Sequence, residues 1–161
     1  MLSSRDWDWA QKVLPIVCVE LIPVQFGSGH DITRLGLIQR MAPKELAWCL
    51  IGGRIFYGES ISQAGQRILA QAGGSSMQIE TVKWDYPDYV AQYSPNNASG
   101  LIDPRKHAIG LTFIVTISGN FEPSGEAMKF QWFDLLDLPT PLGFGQQRII
   151  DELFGQQSSL V

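Results

Sequence analysis

Cysteine and histidine each occur only twice and basic residues are outnumbered by acidic ones, and each shortage closes a class of function. Cys18 and Cys49 lie inside apolar, strand-like runs. A disulfide scaffold or a zinc site needs more ligands at closer spacing, so two buried reduced thiols are expected. The 12 Lys and Arg against 16 Asp and Glu leave a formal net charge of -4. That balance argues against general attraction to a nucleic acid polymer and is compatible with no more than a local basic pocket. No apolar run reaches the roughly 20 residues of a membrane-spanning helix, and the N-terminus lacks the basic start, apolar core and cleavage site of a secretion signal. The expectation is a cytoplasmic protein with no membrane partner, in which the sequon Asn97-Ala98-Ser99 is simply loop. Internal repeats and low-complexity blocks are missing as well.

What is present suffices for one domain over residues 1–161, since the chain is 45% hydrophobic and long enough to bury a core. Residues 3–13 read as a short N-terminal helix with Trp7 and Trp9 as anchors. Strand-like segments follow at 15–26, 34–40, 45–51, 77–84, 89–93, 107–118 and 131–135. A polar loop rich in Asn, Ser, Pro and Gly occupies 94–106, and a closing helix is expected at 144–154. His30, in GSGHD, reads as turn.

The richest segment is residues 52–74, GGRIFYGESISQAGQRILAQAGG. Glu59, Gln63, Arg67 and Gln71 recur every fourth position and form one polar stripe, with Ile61, Ala64, Gly65, Ile68, Leu69 and Ala72 on the apolar side. Ser60 or Ser62 can cap the start by accepting a backbone N–H, and Gly73-Gly74 suits a left-handed stop. The spacings from Gly53 to Glu59, Arg67 and Gly74 resemble the Nudix box, G-x5-E-x7-R-E-U-x-E-E-x-G-U with U apolar. The resemblance implies an α+β fold, a Nudix-type α/β/α sandwich with a mixed central sheet, over nearly the whole chain. It also implies an activity: water cleaves a diphosphate held against a divalent cation such as Mg2+ by the glutamates of the helix. Here those glutamates are replaced by Ile68, Gln71 and Ala72. Magnesium favours carboxylate and water oxygens, so two ligands have become hydrocarbon and Gln71 offers only a neutral oxygen.

Beyond the box, the chain resembles the GDP-mannose mannosyl hydrolase branch, whose own box is degenerate. The likeness lies in RDWDWAQKVLPIVCVEL, Arg40, Gly52-Gly53-Arg54, His107 opening a long strand, and EAMKFQWFDLLDLP. It implies that Arg54 and Arg40 contact the phosphates, that Gly53 and Arg67 are structural, and that Arg67 braces Glu59. A carbonyl of the glycine pair, at Gly52, with Gln71 and Glu126 would make what remains of the metal site. The base would be Glu126, Glu59 or His107, because Ala127 stands where the branch has a histidine. The alternatives are plain: solvated arginines at strand ends, a solvated Glu126, a strand-edge His107. Trp48 or Trp84 could stack on a base, and Asp85, Asp88 and Asp103 are loop acids within reach of a metal. Two functions follow from the resemblance. One is a metal-assisted hydrolase of a nucleotide-sugar-like small molecule. The other is a catalytically inactive Nudix-fold module that binds a nucleotide-like ligand or a protein partner. The tryptophan-bearing N-terminus is compatible with a homodimer.

Overall fold

The computed structural model describes residues 2–155. Its elements run in the order α1 (Ser4–Val13), β1 (Ile16–Phe26), β2 (Ile32–Met41), β3 (Leu46–Cys49), β4 (Ile51–Arg54), α2 (Ile61–Gly73), β5 (Gln78–Thr81), β6 (Tyr89–Tyr93), β7 (Ala108–Ser118), β8 (Lys129–Asp134), a 3-10 turn at Gly143–Gly145, and α3 (Gln147–Phe154). Among the described residues no helix is long and apolar enough to cross a membrane.

The parallel pair β1 and β7 forms the spine, in register from Ile16↔Ala108 to Pro23↔Val115. Strands covered on both faces read as continuous apolar runs, and β1 is buried from Cys18 to Val24. Its other edge is divided. Cys18 to Leu21 pair with β4, and Val24 to Phe26 pair with β2, which carries β3 and β8 beyond it. The sheet therefore splits beside the glycine pair. The break has a local cause: the Leu50 N–H leaves the ladder and donates to Gln146 Oε1 at 2.9 Å. The single strand expected at 45–51 is thus two short ones.

The two sheet faces bury separate cores. Val19, Leu21, Ile51, Phe113 and Val115 meet α2, while Ile22, Val24, Leu35 and Leu37 meet α3 through Ile149, Ile150 and Phe154. α2 buries Ala64, Gly65, Ile68, Leu69, Ala72 and Gly73, the apolar side expected from the sequence. Ser60 caps it in a reciprocal box with Gln63, and Gly74 ends it at φ +96°. Burial of a side chain such as Leu69 is worth about 1.5–3 kcal/mol, so this face accounts for the anchoring of α2. Gly65 is required because the Trp84 ring lies where a Cβ would project. Trp84 packs edge-on against Phe113 and Trp48 edge-on against Phe133 at 4.8 Å; both are half-buried against the core and neither lines the two clefts that open beside β4.

Candidate functional site

Alternation along β4 gives the glycine pair two jobs. Gly52 pairs with Glu20 of β1, and a Cβ there would stand 3.3 Å from Glu20 Cγ. A Cβ at Gly53 would stand 3.0 Å from Ile68 Cγ1 on the other face. Side chains at either position would displace a buried neighbour, so glycine lets β1 and α2 close on β4. A cleft opens beside each face.

The first cleft, of about 330 Å3, gathers four cations, Arg40, Arg54, Arg105 and Lys106. Aromatic rings position them. The Arg54 guanidinium lies 3.7 Å from the centre of the Trp7 ring and Lys106 Nζ 5.8 Å from it, while Arg40 and Arg105 flank Phe144 at 5.6 and 5.4 Å. Two of the four are already neutralised: Arg40 by Glu126 at 2.7 Å and Arg105 by Asp103 at 2.8 Å. Burial pushes the Asp103 carboxyl up, but the bonds from the Arg105 side chain and backbone outweigh it and hold the group below its usual range. Arg54 and Lys106 have no carboxylate partner among the described residues. They leave net positive charge facing the cleft.

Its floor is a buried polar cluster that sequence reasoning missed. Tyr93 donates its hydroxyl to Glu20 Oε1 at 2.7 Å and Thr112 donates to Oε2 at 2.9 Å. Gln146 Nε2 donates to Tyr93 Oη at 3.2 Å and to Glu20 Oε1 at 3.4 Å. Desolvation raises the Glu20 pKa against the lowering effect of these bonds. Burial also raises the Tyr93 phenol, and the neighbouring Glu20 raises it further. The lone acid in IVCVELIPVQF was the available signal, since a carboxyl in a doubly buried strand needs partners. Arg105 and Lys106 were hidden within the polar loop, and Trp7, expected only as an anchor, lines the cleft. Cys18 also lines it as a free buried thiol, and burial pushes it up to about 11, so it is unreactive near neutral pH.

The second cleft, of about 410 Å3, lies where the helix glutamates of a Nudix box would converge. Ile38, Ile51, Ile68, Ala72 and Ala127 line it, all nearly buried. Gly52, Gln71 and Glu126 line it too; Gln71 Oε1 accepts from Arg67 at 2.9 Å and Glu126 Oε2 pairs with Arg40. Glu59 takes Arg67 Nε on Oε1 at 2.6 Å and Arg67 Nη2 on Oε2 at 2.8 Å, and Oε2 also accepts from the Phe56 N–H. Arg67 further donates to the Arg54 carbonyl at 2.8 Å. Those bonds hold the Glu59 carboxyl below its usual range, the Arg67 hydrogen bond contributing most. His107 lines neither cleft and instead bonds Gln92 at 3.2 Å. Asp88 accepts from the Ile114 N–H at 2.7 Å. Among the described residues no three His, Cys, Asp or Glu are grouped to hold a metal. A donor set of one salt-bridged carboxylate, one bonded amide, the Gly52 carbonyl and aliphatic walls does not fit a hard divalent cation, which favours several carboxylate and water oxygens.

The split sheet with α2 beneath it is the Nudix fold, and solved structures bear this out. The chain matches a possible asymmetric diadenosine tetraphosphate hydrolase from Jonesia denitrificans at 24% identity and TM-score 0.77, over 93% of this chain and 99% of the other. It matches a MutT Nudix hydrolase from Burkholderia pseudomallei at 25% identity and TM-score 0.67, over 87% and 98%. The Nudix domain of NrtR from Shewanella oneidensis, solved with ADP ribose, matches at 17% identity and TM-score 0.62, over 99% and 100%. The chain belongs to the family described as Domain of unknown function (DUF4916), whose model matches residues 1–161. No curated protein matches the sequence.

Proposed function

We propose that this protein is a Nudix-fold module that binds a nucleotide-like diphosphate through the cationic cleft without a divalent metal, and that it does not carry out metal-assisted hydrolysis. One observation carries the reading. The cations facing the cleft persist while two of the three helix positions that would hold the ion are aliphatic, with Ile68 packed on Gly53. A guanidinium stacked on an indole and free of carboxylates is preorganised to take phosphate oxygens in a bidentate way, and among the described residues Arg54 meets both conditions. Arg40 is the second contact, released when the ligand's phosphate displaces Glu126.

The resemblance to the GDP-mannose mannosyl hydrolase branch supports a nucleotide sugar as one form of that ligand through the shared Arg54 and Arg40. The hydrolase reading asks more of the chain. Glu59 would have to leave Arg67 to act as base, Glu126 would have to leave Arg40 to bind Mg2+, and His107 lies outside both clefts. Calorimetry with ADP-ribose and GDP-mannose in the presence of a chelator tests binding, and chromatography of the same mixtures with magnesium tests turnover. Saturable metal-free binding with intact ligand is expected. Magnesium-dependent release of nucleotide would contradict the proposal.

A further inference from the structure

The two clefts adjoin. Both are lined by Arg40, Gly52, Gly53, Arg54 and Glu126, so a phosphate held between the two arginines lies at the mouth of each. Their chemistries differ. On one side are the cations and aromatic rings already described; on the other the wall is Ile38, Ile51, Ile68, Ala72 and Ala127. Apart from its arginines, that second wall offers few polar side-chain atoms: those of Gln71, whose Oε1 is taken by Arg67, and of Glu126, whose Oε2 is taken by Arg40. A sugar entering there would lose water from its hydroxyls and find few free partners, which is costly. A hydrocarbon chain would lose nothing polar and would cover apolar surface.

We infer that the preferred ligand is a diphosphate ester carrying an aliphatic substituent, with the phosphates between Arg40 and Arg54 and the hydrocarbon in the cleft that α2 would otherwise have filled with metal ligands. The inference rests on the proposed metal-free phosphate site and adds the class of the second substituent. Replacement of helix glutamates by Ile68 and Ala72 then has a purpose: the same positions that would have held an ion now hold a chain.

The test is calorimetry of the full-length protein with inorganic pyrophosphate and with ethyl, butyl and hexyl diphosphate, all with chelator present and below micellar concentrations. Each methylene buried in the second cleft is expected to tighten binding by up to about fourfold. Ala72→Gln on the helix and Ala127→Gln on the loop each place an amide in that cleft, and either one, if folded, should flatten the dependence on chain length while leaving the affinity for pyrophosphate unchanged. Arg54→Ala should weaken every ligand of the series by the same factor. Pyrophosphate binding with no chain-length dependence overturns this inference and leaves the phosphate site standing. A chain-length dependence that both glutamine variants retain overturns it too, because the hydrocarbon would then lie elsewhere. Absence of pyrophosphate binding overturns the phosphate site itself, and the inference with it.

Discussion

Arg40 and Glu126 meet at 2.7 Å on the rim shared by the two clefts, the arginine side chain 12% exposed and the glutamate 69% exposed. In the proposed function the carboxylate is an internal competitor for a phosphate. The glutamate end of the pair is open to solvent, which limits its worth to about 1 kcal/mol, so Glu126→Gln should tighten pyrophosphate binding by up to about fivefold. A metal-ligand role for Glu126 requires the opposite sign. Calorimetry of the variant with chelator present decides between them, and weaker binding would remove the displacement account.

In the proposed function Arg54 carries the phosphate contact, and among the described residues it has no carboxylate partner. Arg54→Ala is expected to cost about 1.5–3 kcal/mol of binding, the range for hydrogen bonds to charged groups. Arg54→Lys should recover only part, because an ammonium neither forks onto two oxygens nor lies flat on Trp7. Equal affinity of wild type and Arg54→Ala would place the phosphate elsewhere.

Much of the framework was legible because it depends on local pattern. The cap at Ser60, the stop at Gly74 and the polar stripe of α2 follow from side-chain geometry within one helix, and the brace of Arg67 on Glu59 is as the resemblance implied. Strand ends were read less well where tertiary contacts set them: the segment expected at 77–84 is strand only at Gln78–Thr81, and the helix expected at 144–154 begins at Gln147 after the 3-10 turn. The cleft itself was half legible. Arg54 and Arg40 were visible by position, but Glu20, Tyr93, Thr112 and Gln146 come from four separate segments, and the registers of β1 and β6 against β7, with the docking of the turn before α3, bring them together. Sequence spacing carries no information on such contacts.

The Arg67 side chain ties three segments through Glu59, Gln71 and the Arg54 carbonyl. Arg67→Ala should destabilise the fold by about 2–3 kcal/mol at neutral pH, measured by urea denaturation. Glu59 has a folded pKa below its unfolded one. The stabilisation it contributes is therefore full above the ordinary glutamate value of about 4.3 and is lost as the pH falls through the lower folded pKa. The gap between wild type and Arg67→Ala should narrow over that acid range. A gap constant with pH would show that the charge of Glu59 is not what Arg67 holds.

Glu20 titrates in the other direction, since burial raises its pKa in the folded state. Between about pH 4.3 and its raised folded pKa, the unfolded chain gives up this proton and the folded chain keeps it, so the Glu20 contribution destabilises progressively as pH rises. Glu20→Gln keeps the shape and removes the ionisation. Its stability relative to wild type should improve as pH rises from about 4.3, read from denaturation midpoints at a series of pH values. Parallel profiles would contradict a raised pKa at this site.

The central claim is that the cleft binds diphosphate through its cations alone, and the most direct measurement is the affinity of ADP-ribose before and after stripping divalent ions, followed by readdition of magnesium. The account predicts the same dissociation constant in chelator and in magnesium, with binding abolished or strongly weakened by Arg54→Ala in both. Binding that vanishes in chelator and returns with magnesium would contradict it.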